Sequence, residues 1–212
     1  MRKSIYDELE SNRQIVAGAL ASPEIIRLLS PLGYDRKEIN FGNGLLTKFA
    51  NQQDEREHEE NLQKESTQKL HEAYKAVNTR YMGHLKLARM LFTPQSQAWN
   101  DMKLGGKRSQ NMTGWLVQVK AFYKYAIPLA DTFAQRGITA EELAQTEAMI
   151  EAVAEARIQQ NQSKSRKQVA KERRDRERKE MQQWMSKFIK AARYAFDEDK
   201  QQLEALGIVV PS

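Results

Sequence analysis

Apolar residues recur along this chain at the three- and four-residue spacing of amphipathic helices. The first set, Ile5, Tyr6, Leu9, Ile15, Val16, Ala19 and Leu20, predicts a helix with polar Asn12 on its apolar stripe. Ser22-Pro23-Glu24 reads as an N-cap followed by proline at the first helical position. The short helix it opens carries Ile25, Ile26, Leu28, Leu29 and Leu32, and Gly33 ends it. Asp35 with Glu38 has the spacing of a capping box. The helical pattern that follows meets no proline until Pro94. Its stripe begins with Ile39, Leu45, Leu46, Phe49 and Ala50. It resumes with Tyr74, Val77, Tyr81, Leu85, Ala88, Leu91 and Phe92. Residues 51–73 between them are almost wholly polar, with Leu62 and Leu70 as the main exceptions. Gly42 and Gly44 are expected to weaken the start of this helix by about 1 kcal/mol each relative to alanine.

Thr93-Pro94 is read as the opening of another short helix, and Leu104-Gly105-Gly106-Lys107-Arg108-Ser109 as a linker. The next helix has the strongest apolar face, through Met112, Trp115, Leu116, Val119, Phe122, Tyr123, Ala126, Ile127, Ala130 and Phe133. A kink is expected at Pro128 and a stop at Gly137. Thr139 and Glu142 form a second capping box. A second very long helical pattern then runs to about Asp197, with a polar middle over about 155–180.

The two halves match at a shift of 104 residues. Gly33 falls on Gly137, Glu38 on Glu142, Leu45-Leu46 on Met149-Ile150, and Phe49-Ala50 on Val153-Ala154. The run from Leu85 to Phe92 falls on that from Ile189 to Phe196. This predicts an all-α, internally duplicated helical bundle, with repeats at 1–104 and 105–212 packed as one structural domain. Each repeat would end in a long helix. A continuous one over 36–92 would span roughly 85 Å, and it needs a partner in water. A break near Asn61 and near Asn161-Gln162-Ser163 is the competing reading, making each long segment a helical hairpin.

Charge bears on how the repeats pair. Residues 157–179 hold ten basic residues against three acids, a net charge of +7. The matching window 53–75 holds four basic residues against seven acids, a net charge of −3. If a pseudo-two-fold makes the long helices antiparallel, positions summing to about 232 face each other. Asp54, Glu55, Glu57, Glu59 and Glu60 then form an internal charge seam with the segment containing Arg173, Arg174, Arg176 and Arg178. A parallel pairing would set those acids against the nearly uncharged 158–164. Exposed pairs are worth only a few tenths of a kcal/mol, so they set orientation more than stability.

The net charge of +6 and the cluster at 164–179 leave a second reading open, a nucleic-acid site using Arg173, Arg174, Arg176 and Arg178. That segment lacks interleaved aromatics and a recognised docking module. Trp115, Phe122, Tyr123 and Tyr125 could offer an aromatic surface, but their helical spacing assigns them to the core.

Glu55-x-x-His58 has the spacing of a carboxylate-bridged di-iron ligand pair. Its repeat partners are Gln159 and Gln162, so the second pair that such a site needs is missing, and no metal or other cofactor is expected. His58, His71 and His84 follow at intervals of 13 residues and do not share a face; His84 is read as a partly buried packing residue. Leu104-Gly105-Gly106-Lys107 lacks the rest of a phosphate-binding loop. No catalytic constellation emerges. The chain has no cysteine, its first residues turn acidic before any apolar run, and no stretch approaches 18 apolar residues. The default expectation is a cytoplasmic protein that neither spans nor binds a membrane.

Leu32-Gly33-Tyr34-Asp35, Gly44-Leu45-Leu46, and the run from Tyr81 to Phe92 resemble an uncharacterised all-helical family, a domain of unknown function from gut-dwelling bacteria. The resemblance covers mainly the first repeat. It implies a duplicated all-α fold and a cytoplasmic location, and it supplies no activity and no site residues. The leading functional expectation is a non-enzymatic helical scaffold or protein-protein interaction module of unidentified protein partner.

Overall fold

The computed structural model describes residues 4–197 and 199–208, and no β-strand occurs among them. Helix α1 (Ile5–Ala21) starts at a complete capping box, in which Ser4 accepts from the Asp7 amide and Asp7 accepts from the Ser4 amide. Helix α2 (Pro23–Leu29) is capped by Ser22 and has proline in its first turn, as the sequence predicts. A 3-10 turn over Ser30–Leu32 leads to Gly33, whose φ of 88° ends the segment in the left-handed region that favours glycine.

The remaining helices are α3 (Arg36–Leu91), α4 (Gln97–Asp101), α5 (Met112–Ala126), α6 (Ala130–Ala134), α7 (Ala140–Ala195) and α8 (Lys200–Ala205). Helices α3 and α7 have 56 residues each, and neither breaks near Asn61 or Asn161. The continuous reading therefore holds over the hairpin.

Pro128 does more than kink a helix. Lacking an N–H, it turns Ile127–Leu129 into a 3-10 segment that separates α5 from α6. Helix α4 starts later than Thr93-Pro94 suggests, because the Ser96 hydroxyl supplies the cap by accepting from the Trp99 amide. The glycine-containing linker is pinned in place. Leu104 is buried, its carbonyl accepts from Arg89 Nε at 2.8 Å, and Arg108 donates to the Tyr81 hydroxyl at 2.9 Å and the Lys103 carbonyl at 2.8 Å.

The duplication is visible in local geometry. Both ends of α3 lie 104 residues before the corresponding ends of α7. Gly33 and Gly137 have φ of 88° and 87°. The Tyr34 amide donates to the Leu29 carbonyl at 3.2 Å, and the Ile138 amide donates to the Phe133 carbonyl at 3.3 Å. Beyond the long helices, Lys103 and Gly207 share the left-handed conformation. Next to them, the Leu104 amide donates to Trp99 and the Ile208 amide to Leu203.

Two compact units form. One holds the chain up to Glu60 and from Arg166 onward; the other is Asn61–Ser165. The two division points lie 105 residues apart, one more than the repeat shift, so each unit takes the first half of one repeat and the second half of the other.

The first unit's core brings Leu9, Val16 and Ala19 of α1 and Leu29 of α2 onto Ile39, Leu46 and Phe49 of α3. Met181, Met185, Phe188 and Ala192 of α7 close it, with Leu203 of α8 and Leu206 just past its end. The second unit's core packs Trp115, Val119, Phe122, Tyr123 and Ala126 of α5 against Val77, Tyr81 and Leu85 of α3. Leu143, Ile150 and Val153 of α7 complete it.

Within each unit the long helices run antiparallel, and buried positions repeat every seven residues. In the first unit these are Ile39, Leu46 and Gln53 on α3, and Arg174, Met181 and Phe188 on α7. In the second they are Leu70, Val77 and His84 on α3, with Thr146 and Val153 on α7. The polar middles keep this seam but fill it with small or hydrogen-bonding side chains. Ser66 and Ser163 meet hydroxyl to hydroxyl at 2.6 Å, Ser163 being buried.

Candidate functional site

The basic stretch of α7 lies against the acidic part of α3 inside the first unit. Arg166 Nε reaches Glu59 Oε2 at 3.2 Å, Lys167 reaches Glu60 at 3.7 Å, and Arg173 reaches Glu55 at 3.6 Å. Arg174 is 9% exposed; it donates to Gln53 Oε1 at 3.2 Å, and its Nε lies 2.8 Å from Asp175. Arg176 lies 3.7 Å from Glu177 on the same helix. Arg178 reaches across to Glu8 on α1, which also accepts from Gln182. All four arginines named from the sequence thus meet a carboxylate, one of them a buried glutamine as well.

The acids divide by partner. Glu55, Glu59 and Glu60 pair with cations of α7, whereas Glu57 accepts from the Tyr6 hydroxyl and, at 2.7 Å, from Gln53 Nε2. The Tyr6 hydrogen bond, then that of Gln53, holds the Glu57 carboxyl below the usual carboxylate range. Asp54 is exposed. The register differs from the one expected from charge. That register sets Glu60 opposite Glu172, but Glu60 meets Lys167, five positions earlier. Buried layers impose this offset. Several seam side chains packed at seven-residue intervals outweigh ion pairs worth tenths of a kcal/mol. The Glu8–Arg178 link escaped the sequence reading because its acid lies on α1, outside either charged window.

The N3 glutamates of the two long helices do not reach back to their caps as a capping box would. The caps themselves form: Asp35 accepts from the Glu38 amide at 2.8 Å and Thr139 from the Glu142 amide at 3.1 Å. The glutamate side chains cross to the opposite long helix instead. Glu38 accepts from Trp184 Nε1 at 2.8 Å, and Glu142 lies 3.0 Å from His84 Nε2.

That second contact belongs to a buried chain of polar groups. His84, 3% exposed, places Nδ1 at 2.9 Å from the Tyr123 hydroxyl. The ring thus bridges the Tyr123 hydroxyl at Nδ1 and the Glu142 carboxylate at Nε2. Burial pushes the Tyr123 phenol far above its ordinary value. Of its three members, Glu142 alone is open to water. His84 is accordingly more buried than its sequence position suggests.

Glu55 and His58 do not converge on a common centre: Glu55 turns to Arg173 and His58 is exposed. Among the described residues, no three His, Asp or Glu side chains cluster as metal ligands. Trp115, Phe122 and Tyr123 are buried in the second unit, and Tyr125 is 38% exposed. Among the described residues, no single helix is long and apolar enough to cross a membrane. Comparison with protein-family models, curated proteins and solved structures finds no match.

Proposed function

We propose that the chain is a non-enzymatic helical scaffold or protein-interaction module, acting in the cytoplasm. The supporting observation is how the basic segment of α7 is used. Arg166, Lys167, Arg173 and Arg178 meet Glu59, Glu60, Glu55 and Glu8 of the same unit, and Arg174 is buried on Gln53. Cations held by protein carboxylates are poor phosphate ligands, since each phosphate contact must first displace an acid. The basic run therefore reads as a device that orients the long helices. The alternative, nucleic-acid binding through Arg173, Arg174, Arg176 and Arg178, would draw Arg173, Arg174 and Arg178 away from Glu55, Gln53 and Glu8.

Two measurements test the reading. Titration with mixed-sequence RNA and DNA at low salt is expected to show no binding. Cross-linking in the native host, followed by mass spectrometry, is expected to join this chain to another protein. Nucleic-acid binding that weakens with salt and disappears on Arg173→Ala and Arg178→Ala would overturn the proposal in favour of the alternative.

A further inference from the structure

In the first unit, α2 and its following turn frame an open groove of about 600 Å³ with the end of α7 and the start of α8. Leu28, Leu32 and Tyr194 give it an apolar lining, and Glu24, Asp197 and Asp199 stand along it. Tyr194 is 77% exposed and Leu32 is 36% exposed, so large apolar side chains here are left to water. Among the described side chains, none of the three acids meets a lysine or arginine. Asp199 accepts from the Gln202 amide as the cap of α8.

The second repeat supplies an internal control. Shifted by 104, Glu24, Asp197 and Asp199 correspond to Pro128, Thr93 and Gln95, and Leu28 and Leu32 to Thr132 and Arg136. The second unit forms the corresponding turns at Gly137 and Lys103 without any of these acids and with polar residues at both leucine positions. The fold therefore does not require an acidic, apolar groove at this place. Even the cap of α8 needs only a short hydrogen-bonding side chain, which Ser96 supplies for α4.

We propose that this groove docks an amphipathic segment of a partner protein, in which lysines or arginines flank large apolar side chains. This rests on the interaction-module reading and names the chemistry of the partner. The exposed Leu32 and Tyr194 favour apolar cover, and three carboxylates that meet no cation among the described side chains favour positive charge beside it. The same carboxylates repel phosphate, so nucleic acid and anionic lipid are poor occupants.

The test uses the full chain and a fluorescein-labelled helical peptide with leucines on one face and lysines on the other, read by fluorescence anisotropy. Two control peptides replace every lysine by glutamate or every leucine by serine. The leucine–lysine peptide is expected to bind, with both controls at least about ten-fold weaker. Tyr194→Ala and Glu24→Lys change exposed side chains and are expected to keep the helical circular dichroism signal. Each should weaken binding by about ten-fold or more. No binding by the unaltered chain, or variants that both bind as tightly as the unaltered chain, overturns the groove assignment. If the chain still cross-links to a protein in the host after such a result, the interaction reading stands alone. If no protein is cross-linked, that reading falls as well.

Discussion

The indole of Trp184 lies on the backbone of Gly42. A methyl group added at Gly42 would sit 2.2 Å from the ring carbon Cη2 of Trp184 and under 3 Å from two more ring atoms. The indole is held on its other sides as well. It stacks on Phe188 at 5.0 Å, meets the edge of Tyr34 at 5.9 Å, and donates to Glu38. It cannot withdraw without breaking these contacts. Gly42→Ala is therefore expected to destabilise the protein by about 1–3 kcal/mol through overpacking, despite alanine's better helix propensity. Gly44, two residues on, has open space where its Cβ would be. Gly44→Ala is expected to stabilise by up to about 1 kcal/mol. Urea denaturation of both variants checks the pair, and shifts of the same sign would refute the packing account.

That contrast marks how far the sequence could be read. Both glycines look alike in a helical pattern, as propensity costs. Only the position of Trp184, 142 residues away, separates them. Ends of elements were legible because caps and left-handed turns are local. Ser22, Asp35, Gly33, Thr139 and Gly137 all sit where short-range chemistry requires them. Antiparallel pairing was legible from charge, because opposite windows of α3 and α7 carry opposite sign. Register was not, because Gln53, Ser163, Ala170 and Arg174 look like surface residues in a polar run yet occupy the buried seam. Nor was the redirection of Glu38 and Glu142, whose partners come from the opposing helix.

The His84–Tyr123–Glu142 chain can be separated into packing and polar parts by the repeat itself. The repeat counterpart of His84 is Phe188, fully buried in the first unit's core. His84→Phe fills the volume but leaves the buried Tyr123 hydroxyl without its ring-nitrogen partner. It is expected to cost about 1–3 kcal/mol. Removing that hydroxyl as well, in His84→Phe with Tyr123→Phe, should recover part of the loss, with a coupling of about 0.5–3 kcal/mol in a double-mutant cycle. Strict additivity of the two changes would show that the hydrogen bond at Nδ1 contributes nothing.

The first helix of each repeat is tied to a long helix by different chemistry at matching places. In the first unit Glu8 of α1 receives Arg178 and Gln182. The counterparts of Arg178 and Gln182, at a shift of 104, are Tyr74 and Asn78. They hold Trp115 of α5, by ring contact at 4.7 Å and by a hydrogen bond from Trp115 Nε1 to Asn78 Oδ1 at 2.9 Å. Trp115 is 2% exposed, so Trp115→Ala is expected to cost about 3–5 kcal/mol. Glu8→Ala removes a partly exposed ion pair and is expected to cost about 1 kcal/mol at low salt. Its effect should shrink in 1 M salt, whereas that of Trp115→Ala should not. Denaturation at both ionic strengths reads the difference; equal salt response would contradict the assignment.

Tyr6 and Glu57 predict a pH window. The Tyr6 hydroxyl donates to Glu57, which holds the carboxyl below its ordinary 4.5, with Gln53 adding to the effect. The same hydrogen bond, with some burial, raises the Tyr6 phenol above 10.0. A lowered carboxyl contributes stability that is present above its unfolded value and lost as pH falls through the folded one. A raised phenol contributes stability that is present below 10.0 and lost as pH rises through its folded value. The link is therefore fully formed in the neutral range and fails at both ends. Tyr6→Phe keeps the ring and deletes the hydrogen bond. The stability gap between the parent and this variant is expected to be flat from about pH 6 to 9 and to narrow in acid and in strong alkali. Glu57→Gln retains an acceptor that does not titrate, so it should abolish the acid limb contributed by this pair. Urea midpoints across the pH range provide the check. A gap that widens in acid would mean that the carboxyl is protonated in the hydrogen-bonded state, the reverse of the linkage argued here.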